Sequence, residues 1–510
     1  MNKLALWSLT STLMYCTQAQ AEVSLPSVFA DKMVLQQKQE NPIWGKASPG
    51  ESIRISLADQ TYKTKADADG NWRVKLAKMP AGGPYNIKVQ AQNSIEIKDV
   101  LVGEVWMCSG QSNMEWRVKD SNHPAVETLT ANYSDIRIMK VPRVGIDTPQ
   151  FDIDAKWETV SPSSIRDFSA ICYFYGRRLH HALGVPVGLI KNSWGGTPIE
   201  AWIPRDALDN SGEYEPMLSH WDQLTADFDP ATYQQQLKAF NAWNKAGRPA
   251  ESRVDKPKDP ISGGKRPANI FNGVVNPTVG YGIRGVIWYQ GEANGNRGYQ
   301  YRSLFPLLIN TWRERWGQGD FPFYWVQLAD FRAEQDTPSE YSDWAELREA
   351  QSMTLSVPNT GEAIAIDLGE GRNIHPTNKQ DVADRLVRHP LAKVYGFNLT
   401  ADSPRFDELK IDGDKAIVSF KNVTKKLYSQ DTWKVDGFYI AGDDQQFVKA
   451  DAKIIGKNKV QVFSEQVKNP VAVRYGWEDN PVVNLYDKGE LPVAPFRTDD
   501  WPLRSLNVVK

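Results

Sequence analysis

Five segments in the middle of the chain, "VGEVWMCS", "VPVGLIKNSW", "IRGVIWYQ", "FPFYWVQL" and "EAIAIDL", are apolar at successive positions rather than at alternate ones. A strand that is apolar on both faces has to be covered on both sides, as strands of a parallel sheet between helices are. Helical patterns over Phe168–Leu183, Tyr299–Trp316, Trp344–Leu355 and Asn378–Val394 lie among these segments. Strand–helix alternation on this scale predicts an α/β parallel-sheet domain over residues 101–395. Polar residues from about 210 to 268 interrupt it and read as an insertion, helical across "PATYQQQLKAFNAWNKAG".

On either side the period changes to two. "ESIRISL", "NWRVKL", "YNIKVQ" and "SIEIK" alternate apolar with polar, separated by the turn signals "SPGE", "DADGN" and "PAGGP". They predict an N-terminal β-sandwich over residues 22–100. Alternation returns in "KAIVSF", "NKVQVF" and "PVAVRYGW", which predicts a C-terminal β region over 396–510. Residues 1–21 have Lys3, an apolar stretch from Leu4 to Tyr15 and "AQA" at the end. They read as a secretory leader cleaved after Ala21, too short to span a bilayer, and place the protein outside the cytoplasm, secreted or periplasmic. Cys108 and Cys172 then remain. Two buried free thiols are the plainer expectation, and one disulfide is the alternative in an oxidising compartment.

Lys and Arg number 60 against 62 Asp and Glu, for a net charge of −2. That balance gives no basic face for nucleic acid, and no later stretch is long and apolar enough to cross a membrane. The chain has no phosphate loop, dinucleotide fingerprint or metal-ligand spacing, so no cofactor or metal is expected.

Three of the apolar strands end in short polar clusters: "SGQSN" at 109–113, "NSWGGT" at 192–197 and "QGEAN" at 290–294. Ligands of open α/β sheets bind beyond the carboxyl ends of the strands, where these clusters should converge. Ser112 is a weak nucleophile until a base takes its proton. Of six histidines only His375, in "IDLGEGRNIHPTNKQ", follows a strand within a loop that reaches this edge. Gly195–Gly196 allows the close approach of backbone to a substrate, and Asn294 offers a side-chain amide. Such donors are what the oxyanion of acyl transfer requires. Taken singly, each cluster is equally a turn or a cap.

In this order, "GQSNM", "GGT", "QGEAN" and "HP" resemble the four blocks of the Ser-Gly-Asn-His hydrolases, in the form found in the sialate O-acetylesterase family of carbohydrate esterases. "VFADKMVLQQ", "PIWGKASPGE", "ADGNW", "AGGPY", "LVGEVWMCSGQSNMEW" and "WAELREAQ" extend the resemblance over nearly the whole chain after the leader. It implies a flavodoxin-like sheet domain with Ser112 as nucleophile and His375 as base. It also implies an oxyanion hole made by the Ser112 amide, Gly196 and Asn294. One departure stands out: the family usually has Asp two or three residues before the histidine, and this chain reads Arg372-Asn373-Ile374-His375. His375 is then oriented by a carbonyl or by Asn373, or by a carboxylate from elsewhere, with Glu292, Asp367 and Glu370 the nearest. The missing carboxylate also leaves open a non-catalytic carbohydrate-binding protein.

The expected substrate is an acetylated sugar or oligosaccharide, either sialic acid or acetylated hemicellulose such as xyloglucan or xylan fragments. Gln111, Gln290, Trp194 and Arg348 are candidate substrate contacts. Trp116, Trp202 and Trp288 also lie within a few residues of the blocks, and each is either a sugar platform or core. Arg297, Arg348 and Arg372 are available for a sialic acid carboxylate.

Overall fold

The computed structural model describes residues 22–335, 337–339 and 341–509, so the expected leader lies outside the described residues. The strand Ser94–Gly110 lies at the centre, and its last eleven residues are all buried. On one side it pairs in parallel with Val187–Ser193, and on the other with Gly285–Tyr289. Phe323–Val326 and Thr360–Ala363 follow outward beyond the latter, also in parallel. Numbered along the chain, these five strands have the order 2-1-3-4-5, which is the flavodoxin-like order. Two further strands, Tyr133–Lys140 and the antiparallel Trp157–Val160, widen the sheet past Val187–Ser193 and were not expected from the sequence. The helices fall within two residues of their expected ends, at Ala170–Leu183, Gly298–Trp316, Asp343–Met353 and Lys379–Lys393.

The expected boundary at residue 100 falls inside a strand. Residues 94–102 of the central strand pair antiparallel with Gly82–Gln90, while 104–110 belong to the parallel sheet. A single apolar core accordingly runs from Val23 to Val387 through both regions. The C-terminal region has its own core, centred on Val418, Ile440, Val460 and Tyr475. Two four-stranded antiparallel sheets enclose it, in keeping with the β region read from the alternating sequence.

Arg348, expected at the substrate, fastens this C-terminal region instead. Its guanidinium is fully buried and donates to the carbonyls of Leu328 and Ala329, just beyond the strand Phe323–Val326. It also donates to those of Glu478 and Asp479 across the seam. Four carbonyls accept from the guanidinium, which is buried away from solvent.

Cys108 and Cys172 form a disulfide between the central strand and the helix Ala170–Leu183, against the expectation of free thiols. The parallel strand places Cys108 under the first turn of that helix, whose start is capped by the Ser169 hydroxyl on the Cys172 amide. The bridge closes a loop of 64 residues and removes chain entropy from the unfolded state. Replacing both cysteines with serine should lower the unfolding free energy by about 2–4 kcal/mol. This would be read as a lower urea midpoint, and an unchanged midpoint would count against the bridge.

Candidate active site

The site lies where the order of strands reverses, at the carboxyl ends of Ser94–Gly110 and Gly285–Tyr289. Gly110 has φ +130, and a Cβ there would stand 2.2 Å from the Tyr289 carbonyl oxygen, so only glycine lets the two strand ends close up. The chain then turns into the short helix Ser112–Glu115. Gln111 leads into it, and its Oε1 accepts the amides of Gly291 and Ala293, which ties the "SGQSN" turn to the "QGEAN" turn.

Ser112 and His375 stand on a ridge between two clefts and line both. The inner cleft, ≈ 780 Å³, is shared with Gln111, Gly196, Trp221 and Arg297. The outer one, ≈ 440 Å³, is lined by Glu115, Trp116, Arg143 and Lys191 among others. A further cleft of ≈ 800 Å³ at the seam with the C-terminal region contains no nucleophile beside a base. Its Arg385 is paired with Asp367, which removes that carboxylate from the candidates for orienting His375.

Glu115 fixes the "NSWGGT" loop. Its Oε2 accepts the Gly195 amide at 3.0 Å, and its Oε1 pairs with Lys191 at 3.2 Å and with Arg143. Burial alone would raise its pKa, but Lys191 and Arg143 hold the carboxyl below the ordinary range, so Glu115 stays charged. Gly196 follows with φ +73, a left-handed turn that aims its backbone into the inner cleft. The amides of Ser112 and Gly196 have no protein acceptor among the described residues. They are two free donors beside the serine.

Asn294, expected as a third donor, lines neither of these two clefts. It is fully buried, and its Nδ2 donates to Glu200 Oε2 at 3.0 Å. Its Oδ1 accepts the Ile199 amide and the Gln290 amide nitrogen. Gln290 is likewise internal, bonded to the Thr197 carbonyl and the Tyr301 hydroxyl, so neither residue reaches a substrate. Trp194 packs on Gly264 beside the core, and Trp202 and Trp288 are core residues. Of the expected contacts, Gln111 and Arg297 line the inner cleft.

Asn373 shapes the loop that holds His375 rather than the imidazole itself. Its Oδ1 accepts the His375 amide at 3.0 Å, while its Nδ2 donates to the His375 carbonyl and to Glu370. Glu370 in turn accepts the Thr377 amide and hydroxyl. Glu292 bonds Asn113, and its other oxygen is buried with no partner among the described residues. No hydrogen bond to a His375 ring nitrogen occurs among the described residues. The ring lies on Trp116 instead, with centroids 4.8 Å apart and planes 18° from parallel.

Behind Ser112 and His375, Asn113 joins three segments. Its Nδ2 donates to Glu292 and to the Ile374 carbonyl, and its Oδ1 accepts from Lys379 Nζ at 2.6 Å. Lys379 is fully buried, and burial pushes its pKa down to about 7 against the pull of Glu292 and Glu370. Burial raises the pKa of Glu292. His375 sits below its ordinary 6.5 because burial, and then the Lys379 charge, disfavour the imidazolium.

Sequence reasoning passed over Lys379 and the insertion. Lys379 shares the apolar stripe of its helix with Val382, Ala383 and Leu386, and a lysine on such a stripe was the available signal. The insertion supplies Met217, His220, Trp221 and Lys265 to the inner cleft. Met217 and Trp221 stand one turn apart on the helix Glu215–Ala226, but nothing in their spacing separates a cleft wall from a packing face.

The family model for carbohydrate esterases described as sialic acid-specific acetylesterase matches residues 102–239 and 274–389. Human sialate O-acetylesterase is 29% identical over 539 residues, covering 95% of this chain and 94% of that protein. The mouse enzyme of the same name is 32% identical over 413 residues, 73% of this chain and 74% of that protein. The crystal structure of a carbohydrate acetylesterase from Xanthomonas citri superposes with a TM-score of 0.80 at 36% identity, covering 94% of this chain and 100% of that one. The chain belongs to the sialate O-acetylesterase family of carbohydrate esterases.

Proposed function

We propose that the protein is an exported O-acetylesterase in which Ser112 attacks the acetyl ester of a sugar and His375 acts as the base. The observation that supports this most is the pair of unclaimed amides, Ser112 and Gly196, beside a serine and a histidine that line the same two clefts. His375 takes the Oγ proton as Oγ bonds the acetyl carbon, and the carbonyl electron pair moves to oxygen, facing the two amides. Collapse breaks the bond to the sugar oxygen, which receives the proton from His375. Water, deprotonated by His375, then attacks the acetyl-serine, and collapse breaks the bond to Oγ, which takes the proton back from His375 as acetate leaves. The two donors also argue against a mere binding protein, which would have no use for them. Export accords with the leader-like sequence and with a disulfide, which persists in oxidising compartments.

One observation favours a neutral glycan over an acidic one. The guanidinium in the inner cleft, Arg297, is already paired with Glu200 at 2.6 Å and is not open to a carboxylate. Trp221 and Met217 supply the apolar wall on which a pyranose ring can stack. Acetylated hemicellulose oligosaccharides fit this lining, and Lys265 is the cleft's cation for an acidic sugar.

Acetate release from p-nitrophenyl acetate, O-acetylated xylan or xyloglucan oligosaccharides and O-acetylated sialic acid tests the reading. Ser112→Ala should lower kcat by at least about 10³-fold with the fold intact, and retained activity would remove Ser112 from the mechanism. Trp221→Ala should raise KM several-fold for the oligosaccharide and leave p-nitrophenyl acetate unchanged. Asn373→Asp should lower activity, because it places a carboxylate against Glu370 and removes the donor to the His375 carbonyl. A gain would show that the family's aspartate was wanted there. The base has to be neutral, and His375 is held below 6.5, so the acidic limb of kcat/KM should lie below pH 6.5.

A further inference from the structure

A histidine that takes a proton from serine becomes an imidazolium, and in the serine-protease template a buried carboxylate orients and stabilises it. None of the nearby carboxylates hydrogen-bonds the ring among the described residues: Glu370 bonds Thr377 and Asn373, Asp367 pairs with Arg385, and Glu292 bonds Asn113 through one oxygen while its other has no partner. Burial and the Lys379 charge both work against the imidazolium. The group that meets the ring is Trp116, stacked nearly parallel at 4.8 Å.

The indole is itself held. Its Nε1 donates to the Asp120 carbonyl at 2.7 Å, and the Trp116 carbonyl accepts the Ala170 amide at 2.7 Å, at the start of the disulfide-bonded helix. Trp116 therefore presents a fixed π face four residues beyond the nucleophile. An aromatic face attracts a cation through its quadrupole, more strongly where water is displaced.

We propose that Trp116 is the positioning residue of His375: its indole face sets the plane of the imidazole and stabilises the imidazolium, in the place a carboxylate takes in the family motif. The assignment rests on the Ser112–His375 reading. It gives the run "SNMEW" two tasks, because the turn that exposes the serine also delivers the surface on which the base rests.

The charged groups around His375 are Lys379 on the following helix, Glu292 behind it and Glu370 in its own loop. Across the outer cleft stand Glu115 with Arg143 and Lys191, and Asp120 and Asp167 with Arg117. His220 and Lys265 border the inner one. All of these remain in Trp116 variants, so their contributions are common to every profile compared.

The test is the pH profile of kcat/KM on p-nitrophenyl acetate for wild type, Trp116→Phe and Trp116→Leu, with Ser112→Ala as control. Loss of a group that favours the imidazolium lowers the pKa of His375. The acidic limb should therefore move roughly half a unit to a unit toward lower pH in Trp116→Leu, with kcat down about tenfold and KM little changed. Trp116→Phe, which keeps a smaller face, should fall between. A loss of amplitude with the limb unmoved, or no change, would overturn the proposal and leave Trp116 as packing. Should Trp116→Leu fail to fold, NMR titration of His375 in Trp116→Phe decides: a pKa below that of wild type supports the proposal, and an equal or higher one defeats it. An active Ser112→Ala enzyme would instead defeat the underlying reading, so the two failures are distinguishable.

Discussion

The side-chain amide of Asn113 is the junction on which the site depends. It belongs to the turn that presents Ser112, donates to the carbonyl just before His375, and bonds Glu292 on the neighbouring strand's turn. Ser112 and His375 are 263 residues apart in sequence (375 − 112), and they come from opposite sides of the reversal in strand order. A buried amide has four hydrogen-bonding positions and is costly to leave unsatisfied, so each partner it has is a distance constraint. Lys379 completes the set from a third direction. Moving any of the three segments would leave a buried polar group unpaired.

The same logic separates the residues that work on a substrate from those that hold the frame. Arg348, Gln290 and Asn294 are polar, near the blocks, and of types that bind ligands, yet each is fully buried and donates to acceptors inside the protein. Gln111 differs in one respect: its Oε1 is committed, while its Nε2 has no protein acceptor among the described residues and its side chain borders the inner cleft. Hydrogen-bond accounting, rather than residue type, makes the distinction.

The sheet was legible because strands covered on both faces are apolar throughout, and four helices were legible because their stripes repeat at 3.6 residues. Tyr133–Lys140 was missed because "YSDIRIMK" has a polar first half and serves at the widened edge. Ser112 and His375 could be picked out because a strand end and a sparse residue type coincide. The ring partner of His375 could not, since stacking between residues 116 and 375 leaves no local pattern in either segment. The thiol pair was undecided for a similar reason: whether two cysteines 64 residues apart meet depends on where a helix begins over a sheet.

The central strand has a consequence for how the chain acquires its shape during synthesis. Its first half finds its partner at once, because Gly82–Gln90 has just been made and closes a short hairpin with it. Its second half has to wait for Val187–Ser193 and Gly285–Tyr289, some 80 and 180 residues later. Local pairings form quickly and distant ones slowly. For that interval the folding chain displays an N-terminal layer from which an apolar strand projects with both edges open, the kind of surface that chaperones cover. The covalent continuity that joins the N-terminal strands and the parallel sheet in one core thus leaves the incomplete chain exposed at the segment that will later present the serine.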